Sequence, residues 1–463
     1  MQIFQLICTL SPAEIRDVRI LLRSDWYNYR DDVRRLFEIL TKEAAKKPAV
    51  LPDKKVLFQA VFPDKKHDDR LLRLAGSWLN DVVEDYFLLK KTDAHLALKN
   101  LSLAEDYRRR NLPALFQQKM KLAKAALEKQ PFRNADFFRV THEILAEEYR
   151  AAATAKRTEA KNVQAIGDTL DHWFIAQKLR QVCIALSHQN VYRTEYKFGF
   201  LPETLAFVER EGLAELPAIG LYFYCFKALS APENEAAFQI FREKLAQHGH
   251  LFPDEELRDL YLLAINFCTR RVNENSRAHV REGFELYRSG FERGIFVING
   301  VLSRFTYRNA AALGLMLREM DWVADFLPRF QAFLEPEYRE STFNFSLARL
   351  EYERKNYDTA LQLLQRTDAE YEDRLTALAA KTLVSKILYE INAFDTLTSH
   401  LDAMAIFIKR HKEINYHRAN YTNFVRFLRR LLNPEAERAQ LFLEIGAENA
   451  VSEKKWLLEK AAP

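Results

Sequence analysis

One stretch of the sequence recurs after 37 residues, and this recurrence limits the possible folds more than any other feature. The window Ser346–Leu364 aligns with the window Leu383–Leu401. The main matched pairs are Tyr352 with Tyr389, Glu353 with Glu390, Tyr357 with Phe394, Asp358 with Asp395, Thr359 with Thr396 and Leu364 with Leu401. Shifting the first window back by 35 residues places Trp322 at the position of Tyr357. Three windows at this period indicate stacked helical hairpins.

Each window has the residue pattern of two short helices joined by a bend. In the first window the apolar residues at helical spacing are Phe343, Leu347, Leu350, Ala360, Leu361 and Leu364. Tyr357 lies at the bend, where a large ring can wedge between the two helices. A single pair of helices cannot bury both apolar faces, so neighbouring pairs must stack. The windows therefore predict an α-solenoid.

The rest of the chain also favours helices. Only 12 glycines and 14 prolines occur among 463 residues, below the average usage of about 7% and 5%. The chain contains no proline between Pro336 and Pro434. Leu, Ala, Glu, Lys and Arg, which are good helix formers, are common throughout. We therefore expect an all-α fold.

The best-preserved window resembles the tetratricopeptide repeat family. The matching positions are Leu347 and the small Ala348 in the first helix, and the small Ala360 and the apolar Leu364 in the second. The resemblance covers about residues 305–410. It implies a right-handed α-solenoid of helical hairpins, and we expect this tetratricopeptide-like array to follow an N-terminal helical unit.

A second resemblance extends over more of the chain. The strings NFCTRRVNENSRAHVREGFELYRSGFERG, DWVADFLPRFQAFL and KKWLLEK look like those of an uncharacterised family of bacterial helical-repeat proteins. This resemblance implies a helical-repeat architecture and a bacterial origin. It implies no particular chemistry.

Capping signals and prolines divide the chain into segments. Capping-box spacings at Ser11–Glu14, Ser102–Glu105 and Ser230–Glu233 predict helix starts. We expect an N-terminal helical unit over residues 1–100, with helices near Pro12–Ser24, Tyr29–Lys46, Lys54–Phe62 and Asp68–Leu89. We expect hairpins with long helices over 101–300, one of them near 217–247, tetratricopeptide-like repeats over 301–432, and C-terminal capping helices over 433–463, around Trp456.

The sequence contains no motif that indicates catalysis. Phosphate-binding glycine loops, a G-x-S-x-G elbow and the zinc-binding H-E-x-x-H pattern are all absent. The cysteines Cys8, Cys183, Cys225 and Cys268 are far apart, which is typical of small buried apolar residues rather than of a zinc or disulfide site. We therefore expect no enzyme activity, no cofactor and no metal, although a catalytic pair among 64 acidic residues is not recognisable without a fold.

Charge and hydropathy indicate no membrane. The net charge of +5 is small beside 69 basic and 64 acidic residues, and it indicates neither nucleic acid nor a membrane surface by itself. The longest uncharged apolar run, Leu216–Phe226, is about half of what a membrane-spanning helix needs. The first residues lack the pattern of a signal peptide. The expected compartment is the cytoplasm.

Two groups of residues are candidates for binding. In tetratricopeptide-like arrays the first helices line the concave surface, and the repeat places Arg349 with Tyr352, and Lys386 with Tyr389, as neighbouring pairs on that surface. A cation beside an aromatic ring suits an acidic or C-terminal peptide segment. The alternative is that these four residues are ordinary solvated positions.

The second group is the segment Lys409–Arg430, in which aromatic residues alternate with basic ones. Its candidate basic residues are Lys409, Arg410, Arg418, Arg426, Arg429 and Arg430, and its aromatic residues are Tyr416, Tyr421, Phe424 and Phe427. Cations for phosphate and rings for base stacking suit single-stranded nucleic acid. The alternative is one amphipathic helix whose buried stripe is Tyr421, Phe424, Val425, Leu428 and Leu431.

These observations predict a non-catalytic cytoplasmic scaffold or adaptor that holds a protein or peptide partner on the concave face of its repeats. A nucleic-acid-associated protein that uses Lys409–Arg430 is the alternative.

Overall fold

The computed structural model describes residues 1–155, 162–192, 194–231, 233–274, 276–366, 374–411, 417–433 and 437–462. In these residues the chain is helical, apart from turns and one hairpin of two-residue strands. The expected all-α class is confirmed. The chain divides into two compact units, Met1–Gln177 and Lys178–Pro463.

The unit Met1–Gln177 consists of helices joined by short connections. Its helices are α1 (Gln2–Cys8), α2 (Pro12–Arg23), α3 (Asp31–Ala44), α4 (Lys54–Val61), α5 (Asp69–Ala94), α6 (Leu96–Arg109), α7 (Pro113–Lys129), α8 (Ala135–Ala155) and the first half of α9 (Val163–Tyr192). The four helices predicted before residue 90 are confirmed as α2 to α5. Helices α1 to α5 share one apolar core, and α6, α7 and α8 share another.

The predicted capping boxes have different outcomes. The Ser11–Glu14 box is confirmed, because the Glu14 amide donates to the Ser11 hydroxyl and the Ser11 amide donates to the Glu14 carboxylate. The prediction at Ser102 is wrong, since this residue lies inside α6, whose apolar face starts earlier at Ala97.

The prediction at Ser230 is also wrong. Ser230 is the last residue of a helix, and the next helix is capped by the side chain of Asn234, which accepts from the Ala237 amide at 3.2 Å. An Asn cap satisfies the same free N–H groups as Ser, so the spacing alone does not identify which residue caps.

The unit Lys178–Pro463 continues as a series of helices after α9. They are α10 (Leu201–Arg210), α11 (Pro217–Ser230), α12 (Glu235–His248), α13 (Asp254–Asn273), α14 (Ala278–Glu292), α15 (Arg304–Met316), α16 (Met320–Gln331), α17 (Arg339–Glu353), α18 (Tyr357–Gln365), α19 (Arg374–Glu390), α20 (Phe394–Arg410), α21 (His417–Leu432), α22 (Arg438–Ala447) and α23 (Lys454–Ala461). Strands β1 (Val297–Ile298) and β2 (Val301–Leu302) form an antiparallel hairpin before α15. The hairpin predicted near 217–247 is confirmed as α11 and α12.

Three bends in this unit share one backbone conformation. Arg318, Lys355 and Asn392 have φ of 60°, 65° and 59°, the left-handed region that often ends a helix. In each bend the following amide donates to a carbonyl five residues earlier, over 2.9, 2.8 and 2.9 Å; the pairs are Glu319 with Gly314, Asn356 with Glu351, and Ala393 with Leu388. The three bends are therefore 37 residues apart.

This spacing corrects the alignment of the earliest window. The sequence alignment used a shift of 35 residues and placed Trp322 opposite Tyr357. The bends place Met320, the first residue of α16, opposite Tyr357 and Phe394, which are the first residues of α18 and α20. Trp322 lies two residues further along and packs against Phe326. The aromatic match was wrong because identity of residue type does not fix the register of a bend.

Half of the apolar residues assigned to the repeat are buried, whereas Phe343, Leu347 and Leu361 are half-buried. Ala348, Leu350 and Ala360 are fully buried and Leu364 is 7% exposed. Helices α17, α18 and α19 share a core that contains Phe345, Ala348, Tyr352, Ala360, Leu364, Ala380, Leu383 and Ile387. In the described part of the chain, no helix is both long and apolar enough to cross a membrane.

Candidate functional site

The four residues predicted to bind a partner lie together, and the C-terminal helix covers them. Arg349 and Tyr352 are on α17, and Lys386 and Tyr389 are on α19. The Lys386 Nζ atom lies 4.6 Å from the centre of the Tyr352 ring. Helix α23 and the residue before it, Glu453, contact this cluster with side chains of both charges.

Lys386 binds the carboxylate that precedes α23. Its Nζ donates to Glu453 Oε2 at 2.8 Å, and Lys386 is only 8% exposed. Burial acts to raise the pKa of Glu453, but attraction to Lys386, the hydrogen bond from Lys386 and attraction to Arg349 together lower it. A buried ammonium group needs such a partner, because burying an unpaired charge is costly.

Arg349 contributes positive charge to the same place. It is half-buried, and this burial lowers the pKa of its guanidinium group, while attraction to Glu453 and Glu353 acts in the opposite direction. Burial also raises the pKa of the neighbouring Tyr352 well above its ordinary value. The tyrosine therefore stays neutral and serves as a ring and a hydrogen-bond donor.

Glu390 holds the other end of α23. Its carboxylate accepts from Trp456 Nε1 at 2.8 Å and from Lys460 Nζ at 2.9 Å. The Tyr352 hydroxyl donates to it at 3.5 Å. The sequence prediction missed Glu390 and Glu453. The repeated match of Glu353 with Glu390 was a signal for the former, whereas Glu453 lies outside the repeat and gave none.

Apolar contacts complete the attachment of α23. The Tyr389 and Trp456 rings meet edge to face with centres 5.3 Å apart. Trp456 is 8% exposed, and Leu457 and Ala461 are fully buried in the core that α20, α21 and α22 share. The predicted partner-binding residues therefore hold a helical segment of the chain itself.

An open cavity lies beside the same face of α19, nearer the N-terminal end of that helix. Its volume is about 240 Å³, and it is lined by Phe305, Arg308, Asn309, Leu375, Thr376, Ala379, His417 and Tyr421. Thr376 and Ala379 are on the side of α19 that also carries Lys386 and Glu390, because separations of 3, 10 and 14 residues return to one face of a helix. The Arg308 guanidinium donates to Thr376 and lies 4.9 Å from the centre of the Phe345 ring.

The cavity and the α23 contacts therefore belong to one surface formed by α15, α17 and α19. This surface, the first-helix face, comprises Phe305, Arg308, Phe345, Arg349, Tyr352, Thr376, Ala379, Lys386, Tyr389 and Glu390. Helix α23 covers one part of it. Phe305 is 54% exposed at the open part.

Four of the six basic residues predicted to bind nucleic acid contact acceptors of the chain itself. Arg418 donates to the carbonyl oxygens of Ile408 and Lys409, at the end of α20. The other pairs are Arg426 with Glu448, Arg429 with Asp402, and Arg430 with Glu444. Lys409 and Arg410 are exposed.

The aromatic residues of this segment are placed mainly in the core. Phe424 is fully buried and Phe427 is 1% exposed, so neither ring can stack on a base. Val425, Leu428 and Leu431 are buried beside them, as expected for the stripe of one amphipathic helix, and Tyr421 is half-buried. Residues 412–416, which include Tyr416, lie outside the described residues.

Three of the four cysteines are buried as predicted, and none is in a disulfide bond. Burial raises the pKa of Cys268 to about 12, and it also raises the pKa of Cys183. The prediction is wrong for Cys8, which is exposed because α1 buries the side that carries Ile3, Phe4 and Ile7. Buried thiols with raised pKa are inert as nucleophiles.

The carboxylate of Glu390 makes the attachment of α23 dependent on pH. Burial acts to raise its pKa, but hydrogen bonds from Lys460 and Trp456 outweigh this and lower the pKa. A carboxyl group with a lowered folded-state pKa contributes stability above its unfolded pKa of about 4.3, and this contribution disappears as the pH falls through the folded-state pKa. We expect Glu390→Gln to be less stable than the wild type at pH 7, and the difference to shrink below about pH 4.

Urea denaturation of both chains between pH 7 and pH 3 measures this difference. Glu353→Gln is the matched control, because Glu353 occupies the same repeat position but is exposed. A difference for Glu390→Gln that stays constant across the pH range would contradict the assignment.

No group of three or more His, Cys, Asp or Glu side chains in the described ranges is arranged to hold a metal ion. No family model matches the chain, and no curated protein or solved structure matches it either.

Proposed function

We propose that this chain is a non-catalytic scaffold or adaptor that binds a protein or peptide segment on the first-helix face. Its hairpins α11–α12, α13–α14, α15–α16, α17–α18 and α19–α20 would form a right-handed, tetratricopeptide-like solenoid, with α15, α17 and α19 lining the concave side.

Two features of the packing support the solenoid. The second helix of one hairpin packs on the first helix of the next, as α14 does on α15 and α16 on α17. First helices of successive hairpins also touch, as α15 does with α17 and α17 with α19. Nearest-neighbour stacking of this kind is typical of repeat proteins, and it creates an extended concave surface.

The observation that carries the proposal is the open cavity of about 240 Å³ on the first-helix face. Its walls come from α15, α19 and α21, so it crosses several repeats. It combines apolar side chains, such as Phe305 and Leu375, with the polar side chains of Arg308 and Asn309. A concave site with apolar walls and a few polar groups is what an anchoring side chain of a partner needs.

Replacing Phe305 by alanine is expected to weaken partner binding about tenfold, since an aromatic anchor at a recognition pocket contributes about 1–2 kcal/mol or more. The fold is expected to be unchanged, because Phe305 is 54% exposed. Affinity purification of the tagged full-length protein from its own organism, with quantification of the recovered proteins, measures the effect.

Ile406→Ala is the matched control, because Ile406 is 52% exposed on α20, outside the first-helix face. The proposal predicts one protein that is recovered with the wild type and with Ile406→Ala but is depleted with Phe305→Ala. Equal recovery with both variants would contradict the site. Recovery of nucleic acid alone, falling steeply with salt, would favour the surface of Lys409–Arg430 instead.

A further inference from the structure

We propose that the partner segment is a helix with the chemistry of α23, carrying a carboxylate one turn before a tryptophan and a lysine four residues after it. This inference rests on the proposed function and identifies the kind of partner. Helix α23 is the bound example, and the partner would occupy the same residues in its place.

The contacts of α23 with the first-helix face come from one stripe. Glu453, Trp456 and Lys460 are separated by three and four residues, so they lie on one side of the helix. Glu453 accepts a hydrogen bond from Lys386, whereas Trp456 and Lys460 donate to Glu390. Recognition of a helix by anchors at such spacing is a common mode of peptide binding.

The two ends of this stripe carry opposite charges, and each end pairs with a side chain of the other sign. At one end the Glu453 carboxylate binds Lys386 beside Arg349. At the other end the Lys460 ammonium binds Glu390, which also accepts from the Trp456 indole. A reversed helix, or one with uncharged residues at these positions, would leave a half-buried charge without a partner. The arrangement thus selects both the sequence and the direction of the bound helix.

Three features of α23 favour its replacement by a partner helix. Its helix is only eight residues long. Glu453 adopts the left-handed conformation with φ of 55°, which is unfavourable for a residue other than glycine. The Glu453 side chain is also 40% exposed, so water reaches the ion pair.

A synthetic peptide tests the inference directly. The probe is a fluorescein-labelled peptide with the sequence of residues 450–462, and fluorescence anisotropy measures its binding to the full-length chain. The double variant Glu453→Gln/Lys460→Gln loosens α23 but leaves Lys386 and Glu390 in place. We expect this variant to bind the peptide at least tenfold more tightly than the wild type, in which the tethered helix competes at a high effective concentration.

Two controls test whether the charged residues of the peptide determine its binding. A peptide that carries glutamine at the positions of Glu453 and Lys460 is expected to lose at least tenfold in affinity for the loosened chain. Adding Lys386→Gln to the loosened chain is expected to reduce the preference for the native peptide, because only the pair between Glu390 and the peptide lysine remains. Equal affinity for the native and the substituted peptide, or no binding of either, would show that α23 is a permanent cap and would overturn the inference.

The captured partner gives an independent readout. Excess unlabelled native peptide is expected to displace it from the loosened chain. If Phe305→Ala weakens the capture but the peptide has no effect, the proposed function stands and this inference fails. If capture is insensitive to Phe305→Ala, the proposed function itself fails.

Discussion

Trp456→Ala is expected to lower the free energy of unfolding of the C-terminal helices by about 3–5 kcal/mol, the usual cost of truncating a large buried aromatic residue. Trp456 is 8% exposed and packs against Tyr389. The substitution also removes a hydrogen bond to the Glu390 carboxylate. Both losses act on the same helix, so α23 should open before the rest of the unit Lys178–Pro463.

Hydrogen exchange of α21, α22 and α23 measures this effect, since it resolves local from global opening. Trp26→Ala is the matched control, because Trp26 is 89% exposed and the same truncation there should change stability by less than about 0.5 kcal/mol. Equal protection of α23 in Trp456→Ala and in the wild type would show that this helix is not held by the first-helix face.

Gly220→Ala is expected to destabilise α11 by about 1–3 kcal/mol or more, although alanine is normally the better helix former. A Cβ atom at Gly220 would lie 2.1 Å from the carbonyl oxygen of Ala214. This oxygen belongs to the single-turn helix Leu213–Glu215, which packs directly on α11. A backbone atom cannot rotate away as a flexible side chain could, so the hairpin α11–α12 must shift.

Gly446→Ala is the opposite case and the matched control. Gly446 also lies within a helix, α22, but nothing lies within 4 Å of an added Cβ atom. Alanine there should stabilise the helix by up to about 1 kcal/mol. Urea denaturation of the two variants should therefore give shifts of opposite sign, and shifts of the same sign would contradict the close approach at Gly220.

The helical class and the hairpin spacing were accessible from the sequence because both are local properties. Lys355 and Asn392 share the left-handed backbone conformation at two of the bends. Each is followed two residues later by an aromatic residue, Tyr357 or Phe394, and this aromatic repeat is visible in the sequence. The correct register of the third bend was not accessible, since the helix after it begins with Met320 and the aromatic Trp322 comes two residues later. At this bend the period of 37 residues is visible in the backbone conformation and not in the residue types.

The candidate site was only partly accessible. The repeat indicated Arg349, Tyr352, Lys386 and Tyr389 as a group, and the structure places them together. It could not indicate that α23 covers them, because Glu453 is 67 residues from its partner Lys386 and no local pattern connects the two. The aromatic residues of Lys409–Arg430 show the reverse problem. The same aromatic residues could stack on bases or form the buried stripe of a helix, and the sequence does not distinguish the two. The packing of α21 shows that Phe424 and Phe427 are buried.

Photo-crosslinking at the open cavity tests the central claim most directly. A benzoylphenylalanine residue would replace Phe305 in the full-length chain, with Ile406 as the control position, and the protein would be irradiated in its own cells. The account predicts a crosslink from position 305 to one protein and no such product from position 406. Equal crosslinking from both positions, or crosslinks to nucleic acid alone, would contradict it.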